Sequence, residues 1–503
     1  MFGEPTSEPT ARIDVSPCES PETLLARASQ LLRSGEVIEA IAAHERLLKQ
    51  RPDLADSWYN LAYLQQRARR YDAALASYRQ ALDRGAAGPE EVHLNRAVIF
   101  ADHMARPDEA EREIGMALSL NPRYVPALLN LGNLHEQRGD RGRALAAYQQ
   151  VLAIDPFNAL ALARLPNVTA ITSAQDPMFM RLRQAIARPG VGAAERADLG
   201  FGLGKALDDV GAYDEAYAAY TAANHASRLS AGTRGARYDA AAHESFVDRI
   251  IRAFPVAAAP VVQTGARSPH VFICGMFRSG STLVERMLAS HPRVTAGGEI
   301  DLIPAMVREH LGPTYESPTP IDAARLEQLR ALYDDGMAAL FPGTEFVTDK
   351  RPDNFLHIGL IKALFPDSKI VHTRRDPIDN CLSIFFLHLG HSMPYALDLL
   401  DVAHWYRQYL RLMAHWKSLY GDALHDVDYD RLVAEPQPLI ERLLDYCELP
   451  QDDACMAFHN TKAVVKTPSA WQVRQPLYMR SSGRWRNYER HLDRLRAVLA
   501  DPV

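Results

Sequence analysis

The chain has 503 residues, more than one ordinary hydrophobic core accommodates, so two or more domains are expected. Apolar residues make up 47% of the sequence and charged residues 23%, as in ordinary globular proteins. The formal net charge of -6 argues against binding to nucleic acid or to a membrane surface, because both need an excess of lysine and arginine. Any anion-binding site must therefore be built locally.

The N-terminal segment and the cysteines indicate where the protein works. Residues 1–20 contain no apolar run, and no later run reaches the roughly eighteen apolar residues of a membrane-spanning helix. The five cysteines are scattered, and no pair has the spacing of a metal site or a thioredoxin-like motif. The sequence therefore predicts a disordered segment over 1–20, reduced thiols, a cytoplasmic location, no metal site and no membrane anchor.

A repeat runs through the N-terminal half of the chain. Pro122 and Pro156 lie 34 residues apart, and Gly132, Ala144 and Tyr148 stand between them at the small, small and aromatic positions of the tetratricopeptide pattern. Further units follow the same pattern on either side, and 159–196 is interpreted as a degenerate unit. The sequence thus predicts an all-α repeat array over 21–228. Such arrays commonly present a concave surface to a peptide or protein, and they also serve for dimerisation, so a homodimer is a second expectation.

Residues 229–267 differ in composition from the repeats. A short helical stretch from Arg237 to Phe254 precedes a segment rich in alanine, proline and glycine. We therefore expect a helical linker over 229–267 and a separate C-terminal domain over 268–503.

A phosphate-binding loop is predicted at the start of that C-terminal domain. A short apolar strand, 270–274, leads into Gly-Met-Phe-Arg-Ser-Gly-Ser-Thr at 275–282 and then into an amphipathic helix. Compared with the triphosphate-binding pattern GxxxxGK[ST], both glycines and Thr282 are present, but Ser281 replaces the lysine. Because that lysine reaches the β- and γ-phosphates, its absence favours a donor with a single 5′-phosphate and no metal.

Two further strands end in charged residues. Residues 345–350 form a predicted strand that ends at Lys350, and 369–373 form another that is followed by Arg374 and Arg375. Pro377 then begins a helix that carries Ser383. This alternation of strands and helices predicts a parallel sheet with its site along the carboxyl edge.

Together these motifs resemble PAPS-dependent sulfotransferases, which use 3′-phosphoadenosine 5′-phosphosulfate as donor. The resemblance covers roughly residues 268–490 and is closest to the tyrosylprotein sulfotransferase branch and its bacterial relatives, some of which carry tetratricopeptide repeats. It implies a multidomain chain, an all-α tetratricopeptide solenoid followed by an α/β P-loop-like parallel-sheet sulfotransferase domain. It also implies transfer of a sulfuryl group from PAPS to a hydroxyl, with 3′-phosphoadenosine 5′-phosphate (PAP) as the second product and no metal.

The resemblance also implies a set of donor-binding residues. Arg375 and Ser383 would hold the 3′-phosphate, and Tyr429 resembles a nucleotide-contacting tyrosine, with a core tyrosine as the alternative. Some relatives have a second arginine twelve residues beyond the first, where this chain has Leu387, and Arg374 or Arg484 could compensate. The residues that would bind the 5′-phosphosulfate are those of the loop: Arg278, Ser279, Gly280, Ser281 and Thr282.

The resemblance assigns catalytic roles to three residues. Glu299, in the Gly-Gly-Glu motif at 297–299, looks like the general base, although it could also serve as a helix-start carboxylate. Lys350 would stabilise the bridging oxygen as the nucleotide leaves, assisted by Ser482, for which Ser481 is the alternative. Related small-molecule sulfotransferases use a histidine base, and the rival candidates here are His291, His357 and His372.

Other functions remain open to the sequence alone. The chain could be another P-loop transferase or kinase, or an interaction scaffold whose transferase domain is weakly active or inactive. For a sulfotransferase, a peptide or protein tyrosine is the favoured acceptor, bound through the repeat array, while a glycan or a small phenol stays an alternative.

Overall fold

The computed structural model describes residues 19–104, 106–232, 237–257, 268–312, 315, 322–460 and 471–500. Apart from its last two residues, the segment predicted to be disordered over 1–20 lies outside the described residues, as does 258–267 of the predicted linker. The chain divides into two compact units, Met1–Leu134 and His135–Val503. The predicted domain boundaries at 228/229 and 267/268 stay predictions.

The N-terminal half consists of consecutive helices joined mostly by short turns, which confirms the predicted all-α array. The helices are α1 (Pro21–Ser34), α2 (Val37–Gln50), α3 (Ala55–Arg67), α4 (Tyr71–Asp83), α5 (Pro89–Val98), α6 (Pro107–Leu120), α7 (Val125–Arg138), α8 (Arg141–Ile154), α9 (Ala159–Val168), α10 (Pro177–Ala187), α11 (Ala193–Asp209) and α12 (Tyr213–Ser230). The stretch 159–196, predicted to be a degenerate repeat unit, includes helices α9 and α10, which are joined by a longer loop. Helix α9 contains Pro166. A further helix, α13 (Ala240–Ala253), occupies the predicted helical part of the linker.

Small residues let neighbouring repeat helices approach closely. In the compact unit Met1–Leu134, the ring of Tyr78 packs among three completely buried alanines, Ala62, Ala74 and Ala81. In the compact unit His135–Val503, Gly204 of α11 faces Tyr220 of α12. A Cβ atom at Gly204 would lie 2.7 Å from Cε1 of Tyr220, which is closer than non-bonded carbon atoms approach. The repeat pattern therefore reflects the small residues that close packing of helix against helix requires.

The C-terminal half contains a parallel sheet covered by helices. Within the described residues five strands pair in the order β2-β3-β1-β4-β5, all parallel: β1 (His270–Gly275), β2 (Val294–Ala296), β3 (Phe346–Lys350), β4 (Lys369–Arg374) and β5 (Leu424–Asp428). The helices are α14 (Ser281–Ala289), α15 (Leu302–Met306), α16 (Ala323–Leu340), α17 (Ile358–Leu364), α18 (Pro377–Phe385), α19 (Leu399–Tyr420), α20 (Tyr429–Ala434), α21 (Pro436–Cys447) and α22 (Asp493–Ala500). None of the helices in the described ranges is long and apolar enough to cross a membrane.

The central strand explains the order of the sheet. Every residue of β1 is buried, as expected for a strand paired on both edges and covered on both faces. One cluster of buried apolar residues joins Val271 and Ile273 of β1 to Val284 of α14 and Leu443 of α21. This cluster fixes α14 against the sheet, and the loop between β1 and α14 is held at the carboxyl edge.

Candidate active site

Five predicted site segments lie at the carboxyl ends of the five described strands. The loop 278–282 follows β1, Glu299 follows β2, and Lys350 ends β3. Arg375 follows β4, and Tyr429 follows β5. Because all five strands are parallel, segments far apart in sequence meet along one edge of the sheet.

The loop after β1 packs tightly against β4 and α20. A Cβ atom at Gly275 would lie 2.3 Å from the carbonyl oxygen of Thr373, so the strand end requires glycine. Gly280 has a φ of 104°, and a Cβ there would lie 2.7 Å from Cδ2 of Tyr429. The Ser279 and Thr373 hydroxyls are 2.6 Å apart and share a hydrogen bond. The loop is thus held in one shape at the N-terminus of α14, where backbone N–H groups favour an anion.

Arg278 carries a partly buried positive charge. Its Nε donates a hydrogen bond to the hydroxyl of Ser383 on α18, 3.1 Å away. Burial, with smaller contributions from the charges of Arg375 and Arg484, lowers the pKa of Arg278 to about 10. The structure therefore joins a residue predicted to bind the 5′-phosphosulfate to one predicted to bind the 3′-phosphate.

Arg375 lies between residues 471–492, here called the C-terminal segment, and the start of α20. Its Nη2 donates to the carbonyl of Ser481, and its guanidinium lies 5.1 Å from the ring centroid of Tyr429. Its Nε is buried and has no hydrogen-bond partner among the described residues. A buried donor without a partner is costly, so this atom suits an incoming anion.

One cavity of about 360 Å³ joins these groups. Of the predicted donor-binding residues, Arg278, Gly280, Arg375, Ser383 and Tyr429 line it, and Ser279, Ser281 and Thr282 are buried in the adjoining loop. Much of the remaining wall comes from the C-terminal segment and from repeat helices α9, α11 and α12, which belong to the same compact unit.

Glu299 and Lys350 form an ion pair outside the lining of this cavity. The Nζ of Lys350 donates to Oε1 of Glu299 over 2.7 Å. The Lys350 side chain is 1% exposed, whereas that of Glu299 is 42% exposed. The predicted base is therefore open to solvent or to an acceptor, and the lysine reaches it from inside the sheet.

Glu285 on α14 holds the turn that carries Glu299. Its Oε1 accepts hydrogen bonds from the backbone N–H of Gly298 and the hydroxyl of Thr348, both over 2.9 Å. Burial raises the pKa of Glu285, and the Lys350 charge opposes that rise. Glu285 is not among the residues predicted from the sequence, although a glutamate on the apolar face of a predicted helix is an available signal.

The C-terminal segment is fixed to α18 through its backbone. The Asp379 carboxylate accepts hydrogen bonds from the backbone N–H groups of Gly483, over 2.5 Å, and of Trp485, over 2.7 Å. Ser481 lines the cavity. Within the part of the chain that the structure describes, no hydrogen bond joins Ser482 to Lys350, and the predicted role of Ser482 stays a prediction.

The rival histidines each have a structural partner. His291 is hydrogen bonded to the carbonyl of Pro450, and His372 lies between Asp426 and the Tyr409 hydroxyl. Burial lowers the pKa of His357 to about 3. None of these three histidines lines the cavity.

The two arginines considered as replacements at the 3′-phosphate site differ in position. Arg374 is about half exposed and forms ion pairs with Asp426 and Asp428, at 3.4 and 3.5 Å, away from the cavity lining. Arg484 lines the cavity. No group of three or more His, Cys, Asp or Glu side chains in the described ranges is arranged to hold a metal ion.

Asp349, next to Lys350, carries a buried carboxyl whose protonation affects stability. It accepts hydrogen bonds from the Tyr333 hydroxyl, over 2.9 Å, and from Nδ2 of Asn354, over 3.0 Å. Burial nevertheless raises its pKa to about 7. In the unfolded chain the pKa is about 3.9. The folded carboxyl therefore binds its proton more tightly than the unfolded one. Its contribution to the free energy of unfolding is complete below the unfolded pKa and is lost as the pH rises through the folded pKa.

We expect this carboxyl to make the protein less stable as the pH rises from about 5 through neutrality. Between about pH 5 and about pH 8 the free energy of unfolding should fall by about 2 to 3 kcal/mol more in the wild type than in Asp349→Asn. Urea unfolding at the two pH values measures the difference. Asp335→Asn, an exposed change on α16, should keep the wild-type pH dependence. Equal pH dependence in wild type and Asp349→Asn would contradict the prediction.

Comparison with known proteins identifies families that parts of the chain match. Residues 269–453 match the Sulfotransferase family, and residues 25–103 and 125–158 match tetratricopeptide repeat families. The chain is 30% identical over 408 residues to an uncharacterized protein of Aquifex aeolicus (strain VF5), which covers 78% of this chain and 52% of the relative. It is 24% identical over 225 residues to protein-tyrosine sulfotransferase A of Caenorhabditis elegans, which covers 41% of this chain and 56% of the relative.

Among solved structures, the sulfotransferase domain from the Synechococcus PCC 7002 olefin synthase aligns with 22% identity and a TM-score of 0.34. That alignment covers 45% of this chain and 90% of the other. The chain spans about half the length of the two curated relatives.

Proposed function

We propose that this chain, in which a sulfotransferase family domain follows tetratricopeptide repeats, transfers a sulfuryl group from PAPS to a hydroxyl group of an acceptor. The observation that carries the proposal is the cavity at the carboxyl edge of the sheet, where Arg278, Ser383 and Arg375 meet. A donor with phosphate groups at both its 5′ and 3′ positions needs cations at two places, and these arginines come from two different strand ends.

The loop supports a 5′-phosphosulfate rather than a triphosphate. Ser281 stands where a triphosphate-binding loop has its lysine. Backbone N–H groups at the start of α14, together with the Arg278 guanidinium, would neutralise the single 5′-phosphate. The unpartnered Nε of Arg375 would donate to the 3′-phosphate.

The ion pair beside the cavity supports the proposed chemistry. In the transfer, a bond forms between the acceptor oxygen and sulfur while the bond from sulfur to the bridging phosphate oxygen breaks. Glu299 would take the proton of the acceptor hydroxyl, and Lys350 would donate a hydrogen bond to the bridging oxygen as negative charge develops there. Their 2.7 Å separation would let an acid–base group and a positive charge act on the same reacting centre. Ser482 would assist Lys350 once the donor is bound.

A peptide or protein tyrosine is the acceptor that we favour. The C. elegans relative is named a protein-tyrosine sulfotransferase, and repeat arrays of this kind commonly bind peptide or protein segments. We propose that the array of this chain recruits the acceptor. A glycan or small phenol acceptor, a homodimer and a cytoplasmic location are predictions that separate experiments must address.

The test begins with nucleotide binding and continues with transfer. Calorimetric titration should give binding of PAP and much weaker binding of ATP with Mg²⁺, whereas the reverse order would favour a P-loop kinase. Incubation with ³⁵S-labelled PAPS and a panel of peptides, phenols, oligosaccharides and cell lysate should then label one acceptor class. Binding of PAP without labelling of any class would favour a scaffold, and no binding of PAP would overturn the proposal.

A further inference from the structure

The repeats contribute directly to the cavity that contains Arg278 and Arg375. Phe201, Lys205 and Asp208 of α11 line it, together with Arg164 of α9. The repeat array is therefore part of the site, besides being a surface on which a partner could dock. This arrangement raises the question of what the repeat residues do for the donor.

One position of the proposed 3′-phosphate site lacks a cation. Leu387, which follows Phe386 and carries no charge, lines the cavity. The guanidinium of Arg484 lies 5.5 Å from the ring centroid of Phe386, the residue immediately before Leu387. Arg484 of the C-terminal segment thus places a positive charge beside the residues that follow α18, where Leu387 carries none.

A repeat residue holds Arg484 in that place. Nη2 of Arg484 and Oδ2 of Asp208 form an ion pair at 2.6 Å, with side chains 30% and 13% exposed. The hydroxyl of Tyr488 donates a second hydrogen bond to the Asp208 carboxylate. The backbone on both sides of Arg484 is bound to Asp379 of α18, as described above.

We propose that Arg484 is the second cation for the 3′-phosphate of the donor and that Asp208, on repeat helix α11, is the positioning residue that orients it. The inference rests on the proposed function, because it assigns a role toward the donor of that same site. It makes the last repeats a structural requirement for donor selection.

The local charges fit this role. A guanidinium has five N–H donors, so the hydrogen bond of Nη2 to Asp208 leaves others for a phosphate. Three guanidinium groups, Arg278, Arg375 and Arg484, line the same cavity. Burial and the charge of Arg375 lower the pKa of Arg278, and the charge of Arg484 makes a smaller contribution in the same direction. A doubly charged phosphate would relieve this repulsion, whereas a nucleotide without the 3′-phosphate would leave it.

The experiment compares two nucleotides that differ only in the 3′-phosphate. Calorimetric titration of the full chain gives the affinity for PAP and for adenosine 5′-monophosphate (AMP). Loss of one charge-assisted contact should reduce PAP affinity in Arg484→Gln by about 10- to 100-fold and leave AMP affinity within about twofold. Asp208→Asn should lower the PAP-to-AMP affinity ratio by about 5- to 10-fold, because the guanidinium loses its orientation.

A matched control separates this role from general attachment of the segment. Asp214, near the start of α12, also pairs with the C-terminal segment, through Arg490 and His491, but does not line the cavity. Asp214→Asn should therefore keep the wild-type PAP-to-AMP ratio. If Asp214→Asn lowered the ratio as much as Asp208→Asn, the inference would be overturned in favour of a structural role.

The outcomes distinguish this inference from the proposed function. If the wild type binds neither nucleotide, the proposed function fails and the inference fails with it. If the wild type prefers PAP and Arg484→Gln keeps that preference, only the inference fails. If circular dichroism shows that Arg484→Gln does not fold, the PAP-to-AMP affinity ratio of Asp208→Asn tests the inference instead. A lowered ratio supports the inference, and an unchanged ratio overturns it.

Discussion

Replacing Glu299 with glutamine should reduce the rate of sulfuryl transfer by about 10²- to 10⁴-fold, the usual contribution of a general base. Glutamine keeps the size of the side chain, and its amide oxygen can still accept the hydrogen bond from Lys350 that Oε1 of Glu299 accepts over 2.7 Å. It cannot take a proton from the acceptor hydroxyl. The fold and the affinity for PAP should therefore stay close to those of the wild type, while catalysis is lost.

Initial rates with ³⁵S-labelled PAPS at saturating donor measure this effect, and PAP titration checks the donor site. Glu309→Gln is the matched control, because Glu309 is an exposed glutamate ten residues further along the chain. It should transfer sulfuryl groups at the wild-type rate. Activity of Glu299→Gln within about tenfold of the wild type would exclude Glu299 as the base. The three histidines named above would then be the next residues to substitute.

Replacing Lys350 with methionine should lower the rate at saturating donor by about 10²- to 10³-fold, the usual effect of removing one group that stabilises developing charge. Methionine fills a similar volume in a position that is 1% exposed, so the packing around β3 is largely preserved. The Glu299 carboxylate loses its partner but stays solvated, because its side chain is 42% exposed. Lys350→Arg should not restore the rate, since the longer planar group does not fit an enclosed site built for an ammonium.

A second buried lysine provides the control for this substitution. Lys362 of α17 is nearly as buried, and its Nζ donates to the carbonyls of Pro366 and Ser368. Lys362→Met should destabilise the fold but leave the rate per folded molecule unchanged. Thermal unfolding gives the folded fraction for each variant. If both methionine variants lose activity in proportion to lost folded protein, Lys350 has no role beyond stability.

Three features of the structure could be predicted from local sequence. The repeat array followed from a period of small and aromatic residues, since helix packing demands a small residue wherever two helices cross closely, as at Gly204 against Tyr220. The loop after β1 could also be predicted, because its glycines are required by contacts within a few ångströms, such as that of Gly280 with Tyr429. The alternation of strands and helices predicted a parallel sheet, and the sheet is parallel.

Contacts between distant segments could not be predicted in this way. The buried Glu285 binds the turn before Glu299 because α14 and β2 pack side by side, and a lone glutamate in a helix pattern does not indicate its partner. The same holds for Asp379, whose carboxylate binds the backbone of a segment about a hundred residues later in the chain.

The sequence by itself determined the kind of chain this is, a repeat array ahead of an α/β sulfotransferase domain, and the residue types at each strand end. Those features depend on periodicity and on short-range backbone geometry, which neighbouring residues specify. Only the tertiary structure decided that Asp208 of a repeat helix meets Arg484 at the cavity. The physical reason is that an ion pair between segments 276 residues apart depends on how whole helices pack, and no local pattern records that packing.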